Sequence, residues 1–581
     1  MEKLTKTAKQ LQKAYGNAVQ VTARGECLVL TGEVDYWDDV VNAGRIAAKG
    51  KHGLSVVNDI RARLQTRAPM RLPLVQDNAA EGATPDVLVI GAGVVGAAIA
   101  RELRRFDVSV LLVDKEHDVA LHASSRNDGM VHPGIDLKKG QIKKAYNMRG
   151  NAMYDTVCKE LCVPFKRTGQ IICFNKPVLR PFLRLAPFYW RHVLGVPAQY
   201  LTKSAVHAAE PMLAQDICCG LSFPTAGIVC PYGLTIAYAE NAVQNGAKLL
   251  LDTAVLSIEV QNGKIKSVAT NRGTIYPRVV VNAAGVFADD IAQMAQDRFY
   301  SIHPRRGTNS IVDKMAAHKV RTIASGIGTS ATKTTHSKGG GMVSTVDGNL
   351  LVGPDAVETI EKEDFSTTAQ SVQNTFIKQS TTLPSLSQGE IITYFTGIRA
   401  ATYEEDFVIT KGHNTHNLVH AAGIQSPGLT AAPAIGVDVA QMALQVLQTE
   451  KSFTVNRAFN PIREPILHLA AMNTAQRDAK IRQNPDYGVV VCRCEEVSRG
   501  EIKDALHRAV PCDTIDGVKR RVRPGMGRCQ GGFCGPQVAQ IIAEELHIPL
   551  ESVLKSGDGS NILYGDTKSI SQSEESAEVR A

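Results

Sequence analysis

Apolar positions recur along the chain with two different periods. Within residues 19–60, VQVTA and CLVLTGEV alternate as strands, WDDVVNAGRIAAKG spaces its apolar residues as a helix, and LSVVNDI returns to the strand pattern after a polar helical start. These elements predict a small α+β module over residues 1–62. The stretch 63–85 holds three prolines and no sustained period, which reads as a linker. From 86 to about 450 strand and helix patterns alternate, with β-rich stretches near 251–282 and 340–412. That order predicts an α/β nucleotide-binding domain interleaved with a β-sheet substrate domain. Residues 451–487 read as a connector, 488–555 as a small cysteine-rich unit and 556–581 as a polar, disordered tail. No internal repeat is present.

Composition narrows the class. A chain of 581 residues corresponds to three or four domains at ~150 residues each. With 44% hydrophobic and 21% charged residues, collagen-like, bulk-disordered and disulfide-scaffold classes are excluded. The net charge of +8 suits steering of small anions and does not argue for nucleic acid. The apolar run Val87–Ala100 is 14 residues long, contains three glycines and ends at Arg101, too short to span a bilayer. The N-terminus lacks the apolar core and cleavage site of a secretory signal, so the expected compartment is the cytoplasm. In a reducing compartment twelve cysteines point toward metal rather than disulfides, and five of them fall between Cys492 and Cys534.

DVLVIGAGVVGAAIAREL joins a buried strand, the glycines Gly91, Gly93 and Gly96, and a helix; VSVLLVDKE supplies the next strand and ends at Asp114. This is a Rossmann-like βαβ context. Gly91 allows the tight turn, Gly93 the approach of a pyrophosphate and Gly96 the packing of helix on strand. Asp114, 18 residues beyond Gly96, is placed to bind ribose hydroxyls. Spacing alone does not separate FAD from NAD.

Cys492-x-Cys494, 34 intervening residues and Cys529-x4-Cys534 form two close thiol pairs. Four thiolates so arranged can hold a [2Fe-2S] cluster; zinc also takes four, although its pairs more commonly read C-x2–4-C. Glycines 525, 527, 531, 532 and 535 free backbone amides to approach sulfur, and a helix should start near Pro536. Cys512 is spare, and the remaining cysteines read as packing residues.

Three further segments, ASSRNDGMVHPGID (123–136), VVNAAGVFADDIAQM (280–294) and HAAGIQSPGLTAAPAIG (420–436), resemble the D-amino-acid-oxidase/glycerol-3-phosphate-dehydrogenase flavoprotein superfamily. With DGNLLVGP and PRRG, their order is most similar to that of soluble glycerol-3-phosphate oxidases and the catalytic subunit of anaerobic glycerol-3-phosphate dehydrogenase, over about 86–440. The resemblance implies FAD held by Gly91, Gly93, Val95, Gly96 and Asp114, by Ser124 and Ser125 at the pyrophosphate, and by Val255 in an expected strand 248–255 near the adenine. It adds Ala284 and Gly285 at a strand end, and Gly423, Gly428, Leu429 and Thr430 close to the flavin ring. It further implies His132 as the base that takes an alcohol proton, with Arg399, Ser426 and more weakly Arg306 around an anionic substrate. The chain departs from the pattern in RRGTNS, which lacks an aromatic after the glycine, and in Pro133 after the histidine.

The cysteine segment resembles the bacterioferritin-associated-ferredoxin-like [2Fe-2S] domain, which implies Cys492, Cys494, Cys529 and Cys534 as iron ligands. The N-terminal module resembles a BON-type domain, whose kind is associated with phospholipid or protein contact. Together these resemblances imply an FAD-dependent dehydrogenase of glycerol 3-phosphate, passing electrons through the cluster to an acceptor protein or a quinone-linked partner subunit. They also imply possible peripheral contact with the inner face of the membrane. A dehydrogenase of a 2-hydroxy acid, amino acid or amine, and an electron-transfer module without alcohol turnover, are the competing expectations.

Overall fold

The computed structural model describes residues 2–50, 53–326 and 340–565. The last 16 residues of the expected disordered tail, 566–581, lie outside the described residues, whereas 556–565 contain a turn in which Ser560 Oγ donates to the carbonyl of Gly557 at 2.6 Å. The chain forms two compact units, Met1–Lys115 with Val119–Arg463, and Glu116–Asp118 with Glu464–Ala581.

The first unit is organised by two sheets. A six-stranded sheet runs in the order Lys248–Leu250, Val110–Val113, Val87–Ile90, Val279–Asn282, Leu418–Ala422 and Val408–Lys411, parallel except for its last pair. Its two central strands, Val87–Ile90 and Val279–Asn282, are buried at every position, which explains their continuous apolar runs. The helices Val94–Leu103, Pro231–Gln244 and Gly428–Leu447 pack with one another against it. Gly428–Leu447 is long and apolar enough to cross a membrane, yet it is a largely buried core helix here, and Gly150 and Gly436 permit its close contacts.

The second sheet is nine-stranded and centres on the pairing of Ile302–Val312 with Ile391–Thr402, a long antiparallel ladder that also places Arg305 opposite Arg399. A separate meander, Val255–Gln261, Lys264–Thr270 and Gly273–Ile275, corrects the expected strand 248–255: the chain leaves the parallel sheet after Leu250, turns at Asp252 with φ of +50°, and begins the meander at Val255. Residues 77–83 of the expected linker are a strap along this meander. Ala80 and Gly82 donate their amides to Arg272 and Thr274 carbonyls at 2.8 and 2.9 Å, and Asp77 pairs with Arg272 at 2.8 Å. An aperiodic segment still has to satisfy its backbone, and here an existing strand edge does so.

The N-terminal module, with helices Glu2–Tyr15 and Trp37–Ala48 and strands Val19–Arg24, Cys27–Val34 and Ser55–Ala62, belongs to this same unit. Its apolar core includes Tyr403 from the catalytic body. That ring lies so close to Gly44 that a Cβ there would sit 2.3 Å from it, and its hydroxyl receives a hydrogen bond from Asn58 Nδ2 at 2.9 Å. Beside it, Glu404 accepts the amide of Val56 at 2.7 Å, and burial pushes its carboxyl up from 4.5 to about 7. Between those two values the folded chain retains a proton that the unfolded chain has lost, so this group makes stability fall as pH rises from 4.5 to about 7. Glu404→Gln, which keeps the acceptor and cannot ionise, should flatten that slope and raise the melting temperature at pH above 7, as measured by thermal unfolding across pH. A slope unchanged by the substitution would assign the pH dependence to other groups.

The second unit contains the hairpin Val490–Cys492 and Val497–Ser498 and the helices Arg499–Leu506, Ile515–Val522 and Gly535–Leu546. Ser498 and Glu501 close a capping box on the first of these helices, and the three helices share a core that includes Ile502, Leu506, Val518 and Ile542. Asp118 is buried within this unit; its desolvation is outweighed by Arg521 and Arg520, at 2.9 and 2.7 Å, which hold its carboxyl well below the usual range.

Candidate functional site

A cavity of about 430 Å³ opens at the carboxyl ends of the parallel strands. Gly91, Gly93, Asp114, Ser124, Val255, Ala284 and Gly285 line it, so residues separated by nearly 200 positions converge on one groove. Gly91 has φ of +106°, and a Cβ at that residue would lie 2.4 Å from the Ala283 carbonyl oxygen. At Gly96 a Cβ would fall 1.8 Å from the Gly91 carbonyl oxygen, which makes this glycine a packing requirement rather than a lining residue. Ser124 Oγ accepts the amide of Val94 at 2.9 Å, and Asp114 Oδ2 accepts that of Ala92 at 2.6 Å. Both side chains therefore brace the turn that leads into the helix Val94–Leu103.

Other expected residues take different places. Val95 is buried in that helix and Ser125 turns its hydroxyl to the His122 carbonyl, 3.3 Å away. Gly423, Gly428, Leu429 and Thr430 do not line the cavity, although Ile424 does. Gly423 has φ of +64° and no room for a Cβ against Thr402. The Leu429 carbonyl accepts Tyr154 Oη at 2.6 Å, and Thr430 Oγ1 accepts the amide of His132 at 2.9 Å. Sequence reasoning missed Arg67, Met70 and Lys362 on the cavity wall. No local motif marks them; the linker segment 67–70 and the loop after the strand Val357–Glu358 reach the groove only through folding.

The loop bearing His132 is held from three directions. Besides Thr430, the amide side chains of Asn147 and Asn151 donate to its carbonyl at 3.3 and 3.0 Å. Gly134, with φ of +90°, leaves no space for a Cβ beside Met148 and Asn147. Ser426 Oγ lies 3.5 Å from His132 Nε2, at the outer limit of hydrogen bonding, so these two expected residues are neighbours.

Arg399 and Arg305 face each other across the long ladder, an arrangement that repels unless each cation is answered. Arg305 is answered twice, by Glu358 at 2.7 Å and Glu405 at 2.6 Å; Glu358 also takes Arg45 from the N-terminal module at 2.5 Å. Arg399 has no carboxylate partner among the described residues. It donates only to the backbone carbonyls of Arg306 and Asp355, at 3.2 and 3.0 Å, and lies flat over Gly307, where a Cβ would come within 2.3 Å of Nη2. Burial, and next Arg305 beside it, lower its pKa against a smaller opposing pull from Asp355, Asp128 and Glu358. A desolvated guanidinium with no carboxylate in ion-pair contact can receive an anion. Arg306, by contrast, is committed to Asp364 at 2.7 Å and Ser366 at 3.2 Å.

In the second unit Cys494 and Cys529 place their sulfurs 3.8 Å apart. Cys492 and Cys534 form the other pair: the Cys534 thiol donates to Cys492, and despite some burial this bond and the amides of Gly525 and Glu495 pull the Cys492 thiol down to about 6. No three cysteine sulfurs among the described residues lie within 4.8 Å of one another. Four ligands at about 2.3 Å from one zinc would all be about 3.8 Å apart. Two separate pairs suit two metal atoms. Gly527 packs on Cys494, where a Cβ would fall 2.3 Å from the cysteine Cβ, and Cys534 immediately precedes the helix Gly535–Leu546. Cys512 is buried in the core, its thiol pushed up to about 11, and is not a member of either pair.

Residues 86–442 match the family described as FAD dependent oxidoreductase, which covers more than half of the chain. The chain belongs to that family. Residues 490–544 match the BFD-like [2Fe-2S] binding domain. A glycerol 3-phosphate dehydrogenase from Caloramator mitchellensis is 38% identical over 491 residues, 83% of this chain and 99% of the relative. Subunit A1 of an anaerobic glycerol-3-phosphate dehydrogenase from Haloferax volcanii is 26% identical, over 80% of this chain and 83% of its own. The solved structure of an FAD-bound L-alpha-glycerophosphate oxidase from Mycoplasma pneumoniae aligns with a TM-score of 0.59 and 28% identity, covering 65% of this chain and 98% of that one.

The residues present fit both cofactors of this oxidoreductase. For FAD the test is the groove whose glycines admit no Cβ, with a helix N-terminus and an acidic side chain at the strand ends. For the [2Fe-2S] cluster it is the pairing of four thiols among glycine amides, one thiol already disposed to ionise. Cys529→Ser should lower iron and acid-labile sulfide per chain to background in anaerobically purified protein while flavin content stays at one per chain, read by iron, sulfide and absorbance assays. Retained iron and sulfide would remove Cys529 from the ligand set.

Proposed function

We propose that this FAD-dependent oxidoreductase is a dehydrogenase of glycerol 3-phosphate, forming dihydroxyacetone phosphate and releasing its electrons to an acceptor outside the chain. The observation that carries the reading is Arg399, a part-buried cation answered only by backbone carbonyls and therefore open to a phosphate. The similarity to the Caloramator enzyme along nearly all of its length supports it.

In this reading Arg399 binds the substrate phosphate through its planar fork, which fixes the glycerol carbon chain. His132, held through its backbone by Thr430, Asn147 and Asn151, accepts the proton of the secondary hydroxyl at Nε2, with Ser426 beside it as a hydrogen-bonding neighbour. As the O–H bond breaks, the carbon gives up its hydrogen with the electron pair and becomes the ketone. Bound flavin supplies the two-electron acceptor for that hydride, and the cluster supplies a one-electron exit. The acceptor is read as a partner protein or quinone-linked subunit, in keeping with the relatives named as subunits of anaerobic enzymes. We keep the BON-type reading for the N-terminal module and a cytoplasmic setting at the membrane's inner face as parts of the same proposal.

Mixing the anaerobic protein with candidate substrates tests this. Glycerol 3-phosphate should bleach the yellow flavin absorbance, with glycerol, 2-hydroxyglutarate and amino acids leaving it intact on the same timescale. Bleaching by 2-hydroxyglutarate or an amino acid instead would move the assignment to that class. Bleaching only by a reduced protein carrier would make the chain an electron-transfer module.

A further inference from the structure

The helix Arg180–His192 is apolar on two opposite faces. Its inner face packs Leu183, Ala186 and Trp190 on the core cluster that contains Phe174, Leu221 and Phe223. The outer face carries Phe182, Leu185, Phe188 and Tyr189, all between 51 and 74% exposed. Spacings of three and four residues keep these side chains on one side of the helix. So large a contiguous aromatic and aliphatic surface is not needed to complete the core, which the inner face already does.

Charge identifies what covers it. From Leu161 to Ala209 the chain has seven lysines and arginines and no aspartate or glutamate. Within the helix, Arg180, Arg184 and Arg191 interrupt the apolar residues. Arg180 and Arg184 also line an open cleft of about 680 Å³ with Lys203, His207, Tyr200 and Ser204, and no carboxylate contributes to it.

We propose that this helix and its basic cleft dock the protein on an anionic phospholipid bilayer. Phe182, Leu185 and Phe188 enter the boundary between headgroups and acyl chains, while Arg180, Arg184 and Lys203 receive the phosphodiester headgroups. An acidic protein surface would satisfy the cations but would have to bury this aromatic face without the depth that lipid offers; a bilayer satisfies both at once. The catalytic groups are not used, so the docking is separable from turnover.

Flotation of the flavin-loaded protein with vesicles of phosphatidylglycerol and phosphatidylcholine tests the proposal. Binding is expected on the mixed vesicles, weakened by high salt and much weaker on phosphatidylcholine alone. The triple variant Phe182→Ser, Leu185→Ser, Phe188→Ser should lower the partition coefficient about a hundredfold, with flavin content and melting temperature unchanged because the altered side chains are exposed. The pair Arg180→Gln, Arg184→Gln should instead erase the preference for anionic over neutral vesicles. Absence of vesicle binding, undiminished binding by the triple variant, or complete displacement by inorganic phosphate at constant ionic strength would each overturn it. The last result would make the cleft a site for free phosphate.

Discussion

Replacing His132 with Asn should slow the anaerobic reduction of the flavin by glycerol 3-phosphate about a hundred- to ten-thousandfold, the range a positioned general base contributes. Flavin content should not change, because the residue does not line the dinucleotide cavity. The substitution is informative because the loop does not depend on the imidazole for its place. Thr430 holds the His132 amide, Asn147 and Asn151 hold its carbonyl, and Gly134 fits the turn against Met148. Asn retains a polar side chain of moderate size near Ser426 but cannot accept a proton at neutral pH. Stopped-flow absorbance in single turnover separates this step from electron exit. An unchanged reductive rate would remove His132 from the chemistry, and the proton would then need another acceptor.

For Arg399→Leu the expected result is a loss of kcat/KM for glycerol 3-phosphate of about a hundred- to ten-thousandfold, since two charge-assisted hydrogen bonds to phosphate at ~1.5–3 kcal/mol each correspond to that range. Stability should move differently. The guanidinium lies opposite Arg305 and has no carboxylate in ion-pair contact among the described residues, so its removal relieves repulsion and desolvation at the cost of two bonds to backbone carbonyls and the weaker pull of Asp355, Asp128 and Glu358. The melting temperature without substrate should stay level or rise. A residue kept for the fold would show the opposite pattern, with activity and melting temperature falling together. Arg399→Lys should recover only part of the loss, because an ammonium keeps the charge without the planar fork. Unaltered kcat/KM in the Leu variant would place the anion site elsewhere, and steady-state kinetics with thermal unfolding decides the matter.

The two arginines in PRRG show how far a motif reaches. Arg306 stands in a recognisable segment, yet it is tied to Asp364; Arg305 neutralises Glu358 and Glu405. Only Arg399, remote in sequence and brought opposite Arg305 by the ladder, keeps its charge available. A motif records residue type and spacing, whereas the availability of a cation depends on which carboxylates the fold delivers to it. The same reasoning separates Ser124, which lines the dinucleotide cavity, from its neighbour Ser125, which bonds the His122 carbonyl.

Signals carried by neighbouring residues were legible in the amino-acid order. The N-terminal strands and helix, the strand–glycine–helix turn at 87–103 and the four thiols themselves depend on period, backbone freedom or residue type, all of which are local properties, whereas the fold pairs Cys494 with Cys529 and Cys492 with Cys534 rather than the sequence neighbours 492/494 and 529/534. Tertiary structure alone decided that residues 77–83 of the aperiodic stretch 63–85 form a strap while its Arg67 and Met70 wall the cavity, that the N-terminal module shares its core with Tyr403, and that the run 248–255 divides at Asp252. It also decided which arginine is left to meet an anion and which helix face is left to meet solvent. The physical reason is common to all of these: burial, charge pairing and edge satisfaction are settled between segments far apart in the chain, and no window along the sequence contains both partners.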